Sequence, residues 1–450
     1  AAGAAQLGRK VVLLEKGEMG GDCLNYGCVP SKALLAAAKT AQAMRTADKY
    51  GLAAQEPDVD FSAVMDHVHG VIASIAPHDS QERFEGFGVT VIREAGAFSG
   101  AREVTAGDTT IAAKHFIIAT GSSPFVPPIP GVEDTPHLTN ETLFDNRTRP
   151  DHLIVIGGGA IGVEMAQAHR RLGSNVTVIE AMSILNNDDP ECVEVVREAL
   201  NKEGVALMEN AKAERVSGSD GAVSVTLDSG ETVSGSHLLI AVGRKPNVDG
   251  LNLEAAGIDY DRRGVKTDAN LKTTNKRVYA IGDVAGGPQF THMAGDHAST
   301  IIRNVLFKMP AKRNDANVPA ATYCDPELAS VGLKEAEARE KDPSVKVARF
   351  NYADNDRARA DRRTEGFIKI VTAGNGTVLG ATIVGKDAGE LINPWSLAIA
   401  NKRKIGDFTK FIAPYPTLGE LSKRVAGAWY TPSLFSDRTR RLIKVLSILD

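Results

Sequence analysis

Two stretches of the chain repeat one pattern of apolar and polar positions. Residues 7–15 read Leu-Gly-Arg-Lys-Val-Val-Leu-Leu-Glu, and residues 172–180 read Leu-Gly-Ser-Asn-Val-Thr-Val-Ile-Glu. Each predicts a helix ending at a glycine, then a short apolar strand closed by an acid, Glu15 or Glu180. The offset between the copies is 165 residues. Ahead of the second copy, Leu153-Ile-Val-Ile is a buried-type strand, Gly157-Gly158-Gly159-Ala160-Ile161-Gly162 follows, and an apolar helix runs from Val163. Strand, GxGxxG, helix, glycine, strand and acid in that order make a complete dinucleotide-binding unit. Gly157 makes the tight turn, Gly159 lets the backbone approach a pyrophosphate, and Gly162 lets helix pack on strand. Glu180 falls 18 residues after Gly162, near the spacing of an acid that accepts adenosine ribose hydroxyls. A lone GxGxxG also occurs in ligand-free glycine turns; here the flanking strand, helix and acid argue against that reading.

The first copy lacks its glycine fingerprint. Subtracting the offset from Gly157 gives position −8, ahead of Ala1. The first strand and glycine loop are therefore expected to be missing from the chain as given, a piece of at least about 13 residues. Two dinucleotide sites imply a flavin and a nicotinamide. Three more strand-then-glycine endings fit that organisation: Ile117-Ile118-Ala119-Thr120-Gly121, Leu239-Ile240-Ala241-Val242-Gly243-Arg244 and Tyr279-Ala280-Ile281-Gly282-Asp283.

The 450 residues suffice for about three domains. A net charge of −4 leaves no electrostatic footprint for nucleic acid. No apolar run approaches the roughly 20 residues that span a bilayer, and the start does not read as a secretory signal, so a cytoplasmic location is expected. The four cysteines, Cys23, Cys28, Cys192 and Cys324, are too few for a disulfide scaffold, and a close pair in such a chain points to catalysis or metal binding.

That pair sits in Gly20-Gly21-Asp22-Cys23-Leu24-Asn25-Tyr26-Gly27-Cys28-Val29-Pro30-Ser31-Lys32. Pro30 suits the first turn of a helix. Cysteines five apart in a regular helix would be separated by about 7.5 Å along the axis, beyond the usual Cα spacing of a disulfide. A bond between them must cross an irregular helix start, which Gly27 permits, and such a bond is easily reduced. The helix N-terminus lowers the pKa of a nearby thiolate. Zinc would need two more Cys or His ligands at short spacing, and none follows; two inert thiols are the other alternative.

With two dinucleotide units and this segment, the chain resembles the class I pyridine nucleotide–disulfide oxidoreductases, most closely the dihydrolipoamide dehydrogenase and mercuric reductase branches. The likeness implies an α/β fold with two doubly wound, Rossmann-like dinucleotide-binding domains and a C-terminal α+β dimerisation domain. By that likeness Cys23 is the outer sulfur that meets substrate and Cys28 the inner sulfur beside the flavin. Lys32 resembles the lysine near flavin N5, and Glu164 its ion-pair partner. The FAD set it implies is Glu15, Lys16, Gly21, Asp22, Gly96, Ala97, Ala119, Thr120, Gly121, Ser122, Gly282 and Asp283, with Thr291, His292, Met293 and Ala294 opening a helix towards the flavin. The NAD set is Gly157, Gly159, Ala160, Ile161, Gly162, Glu164, Glu180, Gly243 and Arg244. Glu180 favours NADH, because a carboxylate repels a 2′-phosphate. Tyr323 to Gly332 resembles the opening of the dimerisation domain, so a homodimer with sites completed by the partner is implied.

The chain departs from the family's disulfide reductases near its C-terminus. They carry a His-Pro…Glu pair whose His protonates the leaving thiol. Here Ala413-Pro414-Tyr415-Pro416-Thr417-Leu418-Gly419-Glu420 keeps Glu420 but has Tyr415 in the His position. An ordinary tyrosine titrates near 10 and is a poor base. Mercuric reductases match the tyrosine better but carry a vicinal cysteine pair at the C-terminus, and no cysteine follows Cys324.

His67 and His69, two apart on a helix, do not face each other and read as solvated histidines. Cys192 and Cys324 read as packing thiols. The tail Asp437-Arg-Thr-Arg-Arg-Leu-Ile-Lys-Val-Leu-Ser-Ile-Leu-Asp450 is basic and amphipathic. It fits an anionic membrane surface, although a terminal helix packed on its own subunit is the preferred reading.

The expected domains are an FAD domain over 1–148, an NAD domain over 149–268, a return to the flavin over 269–316 and the dimerisation domain over 317–450. A strand is expected at Gly366–Val371 and a helix near Leu391–Ala400. The leading function is electron transfer between NADH, FAD and a Cys23–Cys28 disulfide, on to a disulfide, thiol or metal-ion acceptor. Two others stand beside it: a diaphorase passing electrons from the flavin to a quinone or metal ion, and a flavin-bearing partner subunit with little turnover.

Overall fold

The computed structural model describes residues 1–448. By compactness the chain divides into two units, one made of Ala1–Arg45, Glu56–Ala181 and Ala211–Asp315, the other of Thr46–Gln55, Met182–Asn210 and the chain from Ala316 onward.

In the first unit, helix α1 (Ala2–Gln6) leads into β1 (Val11–Leu14), which pairs in parallel with β2 (Val89–Ile92). Between them run α2 (Gly21–Asn25), α3 (Cys28–Arg45) and α4 (Phe61–Ile75). β3 (Phe116–Ile118) and β4 (Ser122–Pro124) follow. The second copy of the repeat is built as its pattern predicts. β5 (His152–Ile156) is followed by α5 (Ala160–Arg171) and β6 (Asn175–Glu180), and β5 lies between β6 and β7 (His237–Ile240) in a parallel sheet. Leu153, Ile154, Val155 and Ile156 are all buried, which is why this strand reads as an unbroken apolar run. β8 (Arg244–Pro246) pairs antiparallel with β4, and β9 (Val278–Ala280) pairs in parallel with β3 before α6 (Thr291–Ile301). Both halves are doubly wound α/β units.

The second unit centres on a five-stranded antiparallel sheet of β10 (Ala320–Thr322), β11 (Glu327–Gly332), β12 (Lys346–Asn351), β13 (Phe367–Thr372) and β14 (Val378–Gly385), in the order β10-β11-β14-β13-β12. Its core holds Ile368, Ile370, Ile383 and Trp395. Trp395 stacks on Phe408 with ring centroids 3.8 Å apart and donates its indole N–H to Ser422, which satisfies the one polar atom the ring buries. The helix expected near Leu391–Ala400 is two pieces, Ala388–Leu391 and Asn393–Ala400, with Pro394 in the first turn of the second.

The unit ends in α7 (Glu420–Leu434) and α8 (Asp437–Leu446). Here the structure corrects the sequence reading. A terminal helix packed on its own subunit would bury its apolar stripe, yet no residue of α8 is buried. No described helix is long and apolar enough to cross a membrane.

Candidate functional site

The cysteine segment folds as two helices rather than one. Cys23 lies in α2, the helix stops at Tyr26–Gly27, and Cys28 is the first residue of α3. Pro30 falls in the first turn of this helix, as its ring suits. Gly27 allows the break by close approach: a Cβ there would meet the Asp22 carbonyl at 3.1 Å and the Cys23 Cα at 3.2 Å. Both cysteines are unbonded thiols, and the Cys28 sulfur lies 3.4 Å from the Thr291 hydroxyl at the start of α6. The Cys28 thiol is pulled down to about 6, chiefly by the hydrogen bond from Cys23. Burial opposes this, while Thr291 and the Lys32 charge help it and Asp22 works against it. Cys23 is pushed the other way, first by that same hydrogen bond and then by burial. The pair thus shares one proton, held on Cys23, with a thiolate at the N-terminus of an 18-residue helix.

Lys32, one turn beyond Cys28, donates to Glu164 of α5 at 2.8 Å, and the Glu164 side chain is only 5% exposed. The ion pair joins the cysteine helix to the helix that opens at the glycine fingerprint.

Arg244, expected on the nicotinamide side, reaches Ser122 and Asp22. Its guanidinium donates to Ser122 Oγ at 2.7 Å, to the Ser122 carbonyl at 2.6 Å and to Asp22 at 2.8 Å. Ser122 in turn donates to Asp283 at 2.6 Å. One arginine thereby ties the residues expected around the flavin to the carboxylate next to Cys23. Asn247 completes the clamp by exchanging hydrogen bonds with Thr120 at 2.7 and 2.9 Å. Sequence reading stopped at Arg244 and missed Asn247; the polar residues continuing past the strand ending were the available signal. Replacing Arg244 by glutamine leaves the Asp22 charge unbalanced. The titration midpoint of Cys28 should then rise by on the order of one unit or less, read from the pH dependence of thiolate absorbance or alkylation.

The remaining candidates fall into two groups. On the flavin side, Glu15 accepts from the Gly17 amide at 2.8 Å, with Lys16 exposed beside it. Gly96, with Ala97 next to it on one strand, packs against Leu14: a Cβ on Gly96 would meet Leu14 Cδ1 at 2.6 Å. Gly20 and Gly21 turn with φ of 92° and 65°. Ala119 and Thr120 are exposed and Gly121, at φ 68°, has open space beside it. Gly282 faces Ala294 of α6 and donates its amide to Nδ1 of the buried His297 at 3.1 Å. Met293 is buried, and His292 stacks on Phe290.

On the nicotinamide side, Gly157 has φ 111°, and a Cβ there would meet the Ala241 carbonyl at 2.5 Å. Gly162 is held against the Gly157 carbonyl, while nothing stands within 4 Å of a Cβ on Gly159. Ala160 and Ile161 are exposed at the loop, Gly243 is open, and Glu180 accepts from the Gly158 amide at 2.6 Å. This is a cradle open on the side where a pyrophosphate would approach the start of α5, and the residues present fit a dinucleotide. The residues placed for FAD, with Ser122 bonded to Asp283 and open space beside Gly121, fit as well.

Tyr415 and Glu420 lie in the second unit. Tyr415 is 68% exposed and donates to Asp356 at 3.1 Å. That carboxylate pushes its phenol above the ordinary value. Glu420 lies 3.5 Å from Arg424. His67 is exposed, whereas His69 is hydrogen-bonded, its Nε2 3.0 Å from the Phe144 carbonyl, and so is not simply solvated. Cys192 and Cys324 are buried.

The family model of the pyridine nucleotide-disulphide oxidoreductases matches residues 1–298, and that of their dimerisation domain matches residues 318–426. The dihydrolipoyl dehydrogenase of Thermus scotoductus is 38% identical over 427 residues, covering 92% of this chain and 91% of that protein. The mercuric reductase of Bacillus cereus is 36% identical over 423 residues, covering 93% of this chain and 67% of that protein. Among solved structures, the HOCl-induced flavoprotein disulfide reductase RclA of Escherichia coli, as a Cu(II) complex, superimposes with a TM-score of 0.86 at 28% identity, over 95% of this chain and 96% of that one.

Proposed function

The chain belongs to the pyridine nucleotide-disulphide oxidoreductases, flavoprotein enzymes that use FAD and NAD(P)H, and from that premise we propose that it moves electrons between NADH and a Cys23–Cys28 disulfide. FAD supplies the two-electron relay between nicotinamide and sulfur when bound. The carrying observation is Cys28, a thiol brought to about 6 by Cys23, Thr291 and Lys32. When two electrons break the sulfur–sulfur bond, Cys23 takes up the proton and Cys28 keeps the charge, stabilised by the helix start. Glu15 would hold the ribose of FAD and Asp283 its ribityl chain, and the α6 N-terminus would favour negative charge on the flavin ring. The Lys32–Glu164 pair would orient the lysine towards it. The dimerisation domain supports a homodimer, as in the family, and we place each acceptor site at the partner's Tyr415 and Glu420 segment.

Glu180 favours NADH over NADPH, since a 2′-phosphate beside this carboxylate would be repelled. The Glu180→Ala enzyme should narrow the gap between the two KM values, chiefly by improving NADPH. Unchanged KM values for both nucleotides would remove Glu180 from the specificity account.

The acceptor follows from Tyr415. A phenol held above its ordinary value by Asp356 cannot act as a general base at neutral pH. General acid–base help is worth 10²–10⁴ in rate, so turnover with dihydrolipoamide or glutathione disulfide should fall about a hundredfold or more below a histidine-bearing relative. Comparable steady-state rates would contradict this. The same observation favours a second reading, in which the acceptor is a metal ion or quinone that needs no protonated leaving thiol. A Cys23→Ser enzyme separates the routes: loss of acceptor reduction assigns it to the sulfurs, retention to the flavin alone.

A further inference from the structure

Helix α8 is the one long element of the second unit with no buried residue among those described. At about 100° per residue, Leu442, Ile443 and Leu446 form one apolar stripe, and Arg440, Arg441 and Lys444 fall on the opposite side. The exposure is substantial: 56% for Leu442, 58% for Ile443, 59% for Val445 and 46% for Leu446. Leu434 and Phe435 before the helix and Ile448 after it are exposed as well. The helix has a defined start, because Ser436 caps it by accepting from the Thr439 amide, and Thr439 donates to the Ser433 carbonyl. Isolated apolar side chains at a surface are ordinary, but a contiguous stripe rimmed by charge marks a contact.

The charge says which contact. Arg438, Arg440, Arg441 and Lys444 are set against a single carboxylate, Asp437, within α8, while the whole chain carries −4. The positive potential is therefore local to this helix. Two copies pairing through their apolar stripes would bring cations against cations, without the acidic flank that paired helices use. A surface of anionic lipid headgroups complements the charge and the apolar stripe together. A helix of 10 residues is about 15 Å long, half the thickness of a bilayer core, so it would lie along the interface rather than span it.

We propose that α8 is an interfacial anchor that docks this enzyme on anionic membrane surfaces through Leu442, Ile443 and Leu446, with Arg438, Arg440, Arg441 and Lys444 on the headgroups. The inference is independent of the electron acceptor.

The test is co-sedimentation of the FAD-loaded full chain with vesicles of phosphatidylcholine alone or mixed with phosphatidylglycerol. The protein should pellet with the mixed vesicles and be released by salt. Arg440→Gln with Arg441→Gln should weaken partitioning about thirtyfold, near fivefold for each cation removed. Leu446→Glu should abolish it, with oligomeric state by light scattering and flavin reduction by NADH unchanged. Equal partitioning into both vesicle types, no binding at low salt, or full binding by Leu446→Glu would overturn the proposal. So would dissociation of the oligomer by Ile443→Glu or Leu446→Glu, which would assign the face to a subunit contact.

Discussion

Serine in place of Cys28 should lower turnover with any disulfide acceptor by on the order of 10³-fold or more, while leaving reduction of the bound flavin by NADH nearly intact. The size of the effect follows from removing a covalent route rather than weakening one. Hydroxyl oxygen does not form the sulfur–sulfur bond, and it does not ionise near neutrality. Cys28 is the sulfur whose surroundings stabilise the anion: it is first in α3, lies 3.4 Å from the Thr291 hydroxyl and is brought to about 6. Cys23 is driven in the opposite direction by the same hydrogen bond. The two serine variants should therefore differ. Cys23→Ser keeps a sulfur beside the flavin and retains its thiolate absorbance, with a midpoint shifted upward because the Cys23 hydrogen bond is the largest stabiliser of the Cys28 anion. Cys28→Ser loses the absorbance altogether. Equal spectra for the two variants would contradict the division of roles.

Methionine in place of Lys369 should destabilise the second unit by about 3–5 kcal/mol, the cost of breaking a buried ion pair from one side. Lys369 lies in β13, a strand buried along its whole length, and its side chain is 6% exposed. Its ammonium reaches Asp189 at 3.0 Å, Glu191 at 2.6 Å and Glu335 at 2.9 Å. Asp189 is the N-cap of the helix Pro190–Lys202, and Glu335 opens the helix Glu335–Lys341, so one cation fastens two helices to the sheet. Burial alone would lower the Lys369 pKa, but the three carboxylates raise it. Its contribution is therefore complete below its unfolded pKa of about 10.4 and fades only as pH rises beyond that. Burial likewise pushes Glu335 up, yet Lys369 and Arg339 bring it below the ordinary value. Its share is present above about pH 4.3 and is lost as pH falls. The deficit of the variant should accordingly be full at pH 7 and shrink in acid. Trp395 and Trp429, the two tryptophans of the chain, both lie in the second unit, so their emission during urea unfolding reports on this unit. A loss under 1 kcal/mol at pH 7 would show that the carboxylates are relieved by water instead.

These cases show what was legible in the sequence. The glycine fingerprint could be read because each glycine answers a local backbone constraint: positive φ and a close carbonyl at Gly157, contact with a neighbouring turn at Gly162. The doubly wound units followed from that and from the apolar run of β5. Pro30 marked the first turn of α3, but the separate short helix that carries Cys23 was not legible, because five residues hold too little periodicity to show one. The contacts of Arg244 with Ser122 and Asp22 were not legible, because a long guanidinium reaches away from its own strand, and spacing says nothing about where it ends. Lys369 interrupts an apolar run without any sign that three acids from distant segments would meet it. The tail gave its two faces through periodicity alone, yet periodicity cannot say whether protein covers the apolar one; among the described residues, no side chain of α8 is buried.

The central claim is that Cys28 is a thiolate beside the flavin in the half-reduced enzyme. Rapid mixing of the FAD-loaded protein with one equivalent of NADH, followed at long wavelength across pH, tests it directly. The account predicts an absorption band from a thiolate next to oxidised flavin, growing in with a midpoint near pH 6 and absent in Cys28→Ser. Flavin bleaching with no such band at any pH, or a band that survives in Cys28→Ser, would contradict it.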